Sequence, residues 1–122
     1  MNCRVTVRKV GDVAILDLCG KFTIANASGL IRGTVADLLE SGSTRILLNL
    51  QEVTYLDSAA GIGELVSSYA SAVRQGAQLK LLHTGKNIDH VLRLLQLHKI
   101  FEIHDDEGAA VRSFIEPGPS AE

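Results

Sequence analysis

Residues 46–50, Ile-Leu-Leu-Asn-Leu, form a short run with a single polar interruption. A strand that alternates apolar and polar side chains keeps one face in water; one that does not alternate needs cover on both faces and belongs in the middle of a sheet. The flanking segments supply helices for that cover. Upstream, Ala27, Leu30, Ile31, Val35, Leu38 and Leu39 recur at helical spacing and stop at Ser41-Gly42. Downstream, Ile62, Leu65, Val66, Tyr69 and Val73 predict one apolar face of a helix over 61–75, closed by Gly76.

The rest of the chain continues the alternation. Residues 78–82 read as a strand, and Ile88, Val91, Leu92 and Leu95 mark a short helix. A last edge strand is expected over 100–103. A final helix carries Ala110, Val111, Phe114 and Ile115, with Asp105 or Asp106 as its cap. At the start, Cys3, Val5 and Val7 alternate with Arg4, Thr6 and Arg8. A Gly11-Asp12 turn joins this strand to a second over 13–19, which Gly20 ends, and the two pair as a hairpin. The expected fold is a single α/β domain: a mixed sheet with an N-terminal β-hairpin, about four helices and right-handed crossovers. The domain is expected over 1–116, with a frayed tail over 117–122.

Composition narrows the function. With 122 residues, 46% hydrophobic and 21% charged, the chain can build its own core. The net charge of −2 comes from interspersed signs, which argues against direct nucleic-acid binding. No apolar run approaches the length of a membrane span, and MNCRVTVRKV lacks the apolar core of a signal peptide, so the expected location is the cytoplasm. Cys3 and Cys19, both in strand patterns, are expected as buried or half-buried thiols rather than a disulfide or a metal site.

The chemistry-bearing feature is Asp57-Ser58, where a strand-end loop meets the 61–75 helix, at the edge where α/β sheets commonly meet ligands and partners. Two readings stand side by side. Either residue can cap the free amides of the helix. Alternatively, Ser58 is a modification site, where a phosphate would face the positive end of the helix and alter the surface without melting it. Gly61 and Gly63 suit both readings and do not form a phosphate-binding GxxxxGK[ST] loop.

Catalysis finds little support. HExxH and GxSxG are absent, and a Ser58–His–Asp triad has no local signature. His83, His90, His98 and His104 read as surface or loop residues, and Asp105, Asp106 and Glu107 as helix-start acids. Arg45, Lys80 and Lys86 fall near strand ends and read as solvated charges. No catalytic residue, cofactor or metal is expected.

Four stretches carry a resemblance: VAILDLCGKFTIANA, RILLNLQEVTYLDSAAGIGELV, GAQLKLLHTGKNIDHVLRLLQL and FEIHDDEGAAVRSF. Together they resemble the STAS family, in particular its stand-alone bacterial anti-sigma-factor antagonists. The resemblance implies a regulatory binding protein, not an enzyme. Its partner would be an anti-sigma factor that is also a serine kinase, which supplies the ATP and phosphorylates Ser58; a PP2C-like phosphatase would reverse this. The implied contact surface takes in Thr23 and Asn26 in the 20–26 loop, Asp57, Ala59, Gly61 and Gly63 at the junction, and Glu64, Ser67 and Ser68 on the helix.

Three departures qualify the resemblance. Where many members read D-S-S-G-L-G, this chain reads D-S-A-A-G-I-G, which removes a hydroxyl and adds an alanine, Ala59 or Ala60. Thr23 stands near a place where members often carry an aspartate. These changes keep two alternatives open: an unphosphorylated scaffold or dimerisation module, and a small-ligand or nucleotide sensor. Monomer against homodimer is also open.

Overall fold

The computed structural model describes residues 3–115. Its elements run β1 (Cys3–Val10), β2 (Val13–Phe22), α1 (Ile24–Ala27), α2 (Leu30–Glu40), β3 (Arg45–Leu56), a π-helical turn (Ser58–Ile62), α3 (Gly63–Arg74), β4 (Gln78–Leu82), α4 (Gly85–Leu94), a 3-10 turn (Leu97–Lys99), β5 (Ile103–His104) and α5 (Glu107–Ile115). The five strands lie in sequence order, β1 antiparallel to β2 and every later pair parallel. The expected hairpin and mixed α/β sheet are both present. The 117–122 tail lies outside the described residues.

The apolar run behaves as its composition requires. Ile46, Leu48 and Leu50 enter the larger core with Leu16, Leu18, Leu79 and Leu81, under the helices contributing Ile31, Val35, Leu65, Ala72 and Leu92. Leu47 points the other way, joining Val13, Ile15 and Leu82 beneath Ala110, Val111 and Phe114 of α5. Each such side chain gains about 1.5–3 kcal/mol by leaving water, so a strand apolar on both faces is stable only between two layers.

Three strand boundaries and one helix face differ from the sequence expectation, each because tertiary contacts outweigh local pattern. β3 continues past residue 50 to Leu56, since its polar end still pairs with β2. β2 likewise runs through Gly20 to Phe22, with a register shift at Gly20/Lys21 and Gly20 at a positive φ of 101°. The last strand is Ile103–His104 instead of 100–103, and Ile100 is exposed beyond the 3-10 turn. On α3 the buried face runs through Glu64, Leu65, Ser68 and Ala72, while Val66 is exposed and Val73 is 53% exposed. Ile62, Leu65 and Tyr69 of the expected apolar face do pack on the core, so the face is rotated and not reversed: Val66 and Val73 turn outward while Glu64 and Ser68 turn inward.

Lys80 departs from the expectation of a solvated charge. It is buried in β4, donates to Ser113 Oγ (2.8 Å) and to the Ser113 carbonyl (3.2 Å), and lies 3.1 Å from Glu102. Its ammonium sits 4.6 Å from the centre of the Phe114 ring, where a cation is attracted to the ring face. Cys3 is buried and Cys19 half-buried, both as free thiols.

Candidate functional site

Asp57 organises the junction. Its Oδ1 accepts from the Ala60 amide at 2.6 Å, capping the helical segment that begins at Ser58. Its Oδ2 accepts from the Ile24 amide at 2.8 Å, holding the start of α1. Its own amide donates to the Phe22 carbonyl at 3.0 Å. One carboxylate thus joins the 20–26 loop to the β3–α3 junction, two segments more than thirty positions apart in sequence.

The alanine that the resemblance implies as extra falls in a widened turn. Residues 58–62 form a π turn, with the Ile62 amide donating to the Asp57 carbonyl (2.9 Å) and the Gly63 amide to the Ser58 carbonyl. A π turn lets a helix absorb one surplus residue while the turns beyond it keep their register. The two glycines are fixed by this geometry. A Cβ on Gly61 would collide with the Leu56 side chain, 2.7 Å from its Cδ1, and a Cβ on Gly63 would lie 3.0 Å from the Ser58 carbonyl oxygen.

Ser58 is exposed at the first position of this turn, and Asp57 beside it is half-buried. Thr23 and Asn26 close α1 on itself: the Asn26 side-chain oxygen accepts from the Thr23 amide at 3.1 Å and from the Thr23 hydroxyl. The Thr23 hydroxyl is thereby committed locally. Gly63 is exposed and Ser67 half-exposed, whereas Gly61 is buried. Ala59 lies in the π turn, and its side chain is outside the described residues.

Glu64 and Ser68 are corrected as surface contacts. Glu64 is 3% exposed, and Ser68 is 1% exposed with a hydroxyl that finds no partner among the described residues. The Glu64 carboxylate turns inward to α2. It accepts from the amides of Ile31 and Arg32, each at 3.1 Å, and from that of Gly29. Gly29 has a φ of 81° and no side chain with which to cap, so a carboxylate from another helix satisfies the free amides at the positive end of α2. Gly61 is likewise a packing residue, seated against Leu56.

Sequence reasoning missed Ile24, which is 64% exposed on α1 next to the π turn, and Val66 on α3. Both are apolar side chains open to solvent, the kind of surface a partner covers, and α1, which carries Ile24, packs on the turn that holds Ser58. For Ile24 the signal was available in the run of FTIAN; for Val66 it was masked by the helix periodicity that counted it as core.

His83 is half-buried at the end of β4, His90 is exposed, and His104 pairs with Glu102 at 2.6 Å. Among the described residues, no group of three or more His, Cys, Asp or Glu side chains could hold a metal ion, and no helix is long and apolar enough to cross a membrane.

The family model for the STAS domain matches residues 4–110. A Thermotoga maritima protein, described as a candidate anti-sigma factor antagonist, is 28% identical; the match covers 92% of this chain and 95% of that one, with a TM-score of 0.81. An anti-sigma factor antagonist from Mycobacterium paratuberculosis superposes with a TM-score of 0.82 at 14% identity over 93% of this chain and 95% of that one. The phosphorylated form of the Bacillus cell fate determinant SpoIIAA does so at 0.70 and 18% identity, over 90% of this chain and 99% of that one. These last two share the fold. By the match over residues 4–110, the chain belongs to the STAS domain family.

Proposed function

We propose that this protein is an anti-sigma-factor antagonist: a cytoplasmic, non-catalytic binding switch whose partner is an anti-sigma factor with serine kinase activity, released by phosphorylation of Ser58 and restored by a PP2C-like phosphatase. The observation that carries the reading is the placement of Ser58, exposed at the head of a helical segment whose first turn is already capped by Asp57. A phosphoryl group there adds about −1.5 to −2 charges beside the Asp57 carboxylate and within a surface that includes Ile24. The like charges repel, and a partner covering that surface would have to desolvate both. The likeness to the Thermotoga maritima protein over most of both chains supports the same reading.

The contact surface proposed is Thr23, Ile24 and Asn26 on α1, Ser58 and Gly63 at the π turn, and Val66 and Ser67 on α3. Asp57 contributes by holding α1 against the turn. A second reading, an unphosphorylated scaffold, draws on Thr23: a neutral hydroxyl already bonded to Asn26 offers a partner no charge.

The test pairs two measurements with the kinase-type anti-sigma factor of the same organism. Incubation with that protein and ATP should add one phosphate to the wild type and none to Ser58→Ala, read by intact mass. In calorimetric titration Ser58→Asp should bind at least about tenfold more weakly than wild type while melting at the same temperature. Unchanged affinity of Ser58→Asp would reject the switch, and binding without any phosphate transfer would favour the scaffold.

A further inference from the structure

β4 ends at Leu82, paired with Asn49, so β3 has no neighbour on that side from Leu50 to Leu56. The space beside it is a groove of about 630 Å³, within the range typical of small-molecule sites. One wall is apolar, formed by Leu50, Val53, Leu56, Ile62, Ile88 and Val91. The other end is the start of α4, where Thr84, Gly85, Lys86 and Asn87 reach the groove.

That end has unmet polar capacity. No side chain caps α4, which leaves its first-turn amides free for an outside acceptor. Thr84, at the N-cap, is only 6% exposed, lines the groove, and enters no hydrogen bond among the described residues through its hydroxyl. The hydroxyl itself is reachable from the groove, since it is not among the fully buried unpartnered atoms, and it can bond to a ligand oxygen there. Next to it, His83 has a φ of 55°, a strained conformation for a residue with a side chain, held by its amide bond to the His104 carbonyl at 2.9 Å.

The charges set the ligand class. Lys86 and Asp105 both line the groove and offset each other, leaving the partial positive charge of the helix end. That partial charge suits a single negative charge better than the three or four of a nucleoside triphosphate. We propose that the groove binds a small amphipathic monoanion, a carboxylate with an aliphatic or aromatic body: the carboxylate on the α4 amides and the Thr84 hydroxyl, the body against the apolar wall.

Titration of the full chain with octanoate, followed by amide chemical shifts, tests this. Saturable shifts are expected at Gly85–Ile88 together with Val53 and Leu56, with a dissociation constant on the order of a millimolar or below. Octanol should bind at least about tenfold more weakly for lack of the charge. Inorganic phosphate and ATP should perturb these amides less than octanoate does. Thr84→Val should weaken octanoate about three- to tenfold, and Val91→Asp about tenfold or more by placing a like charge on the wall, with melting temperatures showing both variants folded. Absence of saturable shifts at the groove, octanoate binding indifferent to both substitutions, or tighter binding of phosphate or ATP at the same amides would each overturn the proposal.

Discussion

Two acids, Asp57 and Glu64, sit seven positions apart and perform the same physical task on different helices. Each accepts backbone amides that would otherwise lack partners, and each reaches an element remote in sequence: Asp57 reaches Ile24, Glu64 reaches Gly29, Ile31 and Arg32. Glu64→Gln keeps the shape but turns an amide group toward three donors. It should destabilise the protein by about 1–3 kcal/mol in urea denaturation, the cost of leaving buried donors unmet. An unchanged midpoint would show that α2 does not depend on this cap. The legibility of the two acids differs for a physical reason. Asp57 caps the helical segment directly after it, a local relation visible in sequence. Glu64 caps a helix whose first residue lies more than thirty positions earlier, and an acid in a first helical turn looks locally like an exposed one.

At the scale of elements, α5 shows how the second layer is fastened. Arg8 of β1 bonds to Asp17 of β2 (2.6 Å) and to Glu107 at the start of α5 (2.6 Å), and Asn49 adds a bond to Asp17 at 2.8 Å. Burial pushes the Asp17 carboxyl up, but the hydrogen bonds from Arg8 and Asn49 outweigh it and hold the group below its ordinary value. The hydrogen bond from Arg8 is the main cause that lowers Glu107. Both folded-state values are depressed, so the stabilisation is present above the ordinary carboxylate range near pH 4 and is lost as pH falls through the lowered values. Stability should therefore decline from about pH 5 toward pH 2–3, and Arg8→Met should flatten that decline while lowering stability at neutral pH by about 1 kcal/mol or less. The gain is small because the groups are about one-third exposed and screened by water and salt. Urea midpoints across that pH range check it; parallel curves for the two proteins would remove Arg8 from the account. The π turn belongs to this scale too: the resemblance implies a surplus alanine, but the shape of the turn depends on where Leu56, Gly61 and Gly63 meet.

The whole molecule is a sheet with unequal cover. One face carries α2, α3 and α4; the smaller core on the other side lies beneath α5, where Phe114 packs with Val13, Ile15, Leu47 and Leu82. Phe114→Ala should cost about 3–5 kcal/mol, since a large buried ring leaves a cavity and Lys80 loses the ring beneath its charge. A calorimetric transition that stays single and shifts down in temperature is the expected result; a separate low-temperature step would mean that α5 detaches alone. The sequence by itself determined the α/β class, the hairpin, the central apolar strand, the position of Asp57-Ser58 at a strand-to-helix junction and the resemblance to the STAS family, because periodicity, turn residues and local motifs act over a few positions. The tertiary structure alone decided that Glu64, Ser68 and Lys80 face inward, that Ile24 and Val66 stay open to solvent, that β3 runs on to Leu56, and that a groove opens where β4 stops short. Those outcomes depend on which surfaces from distant parts of the chain cover one another, and a side chain's burial is a property of its neighbours in space.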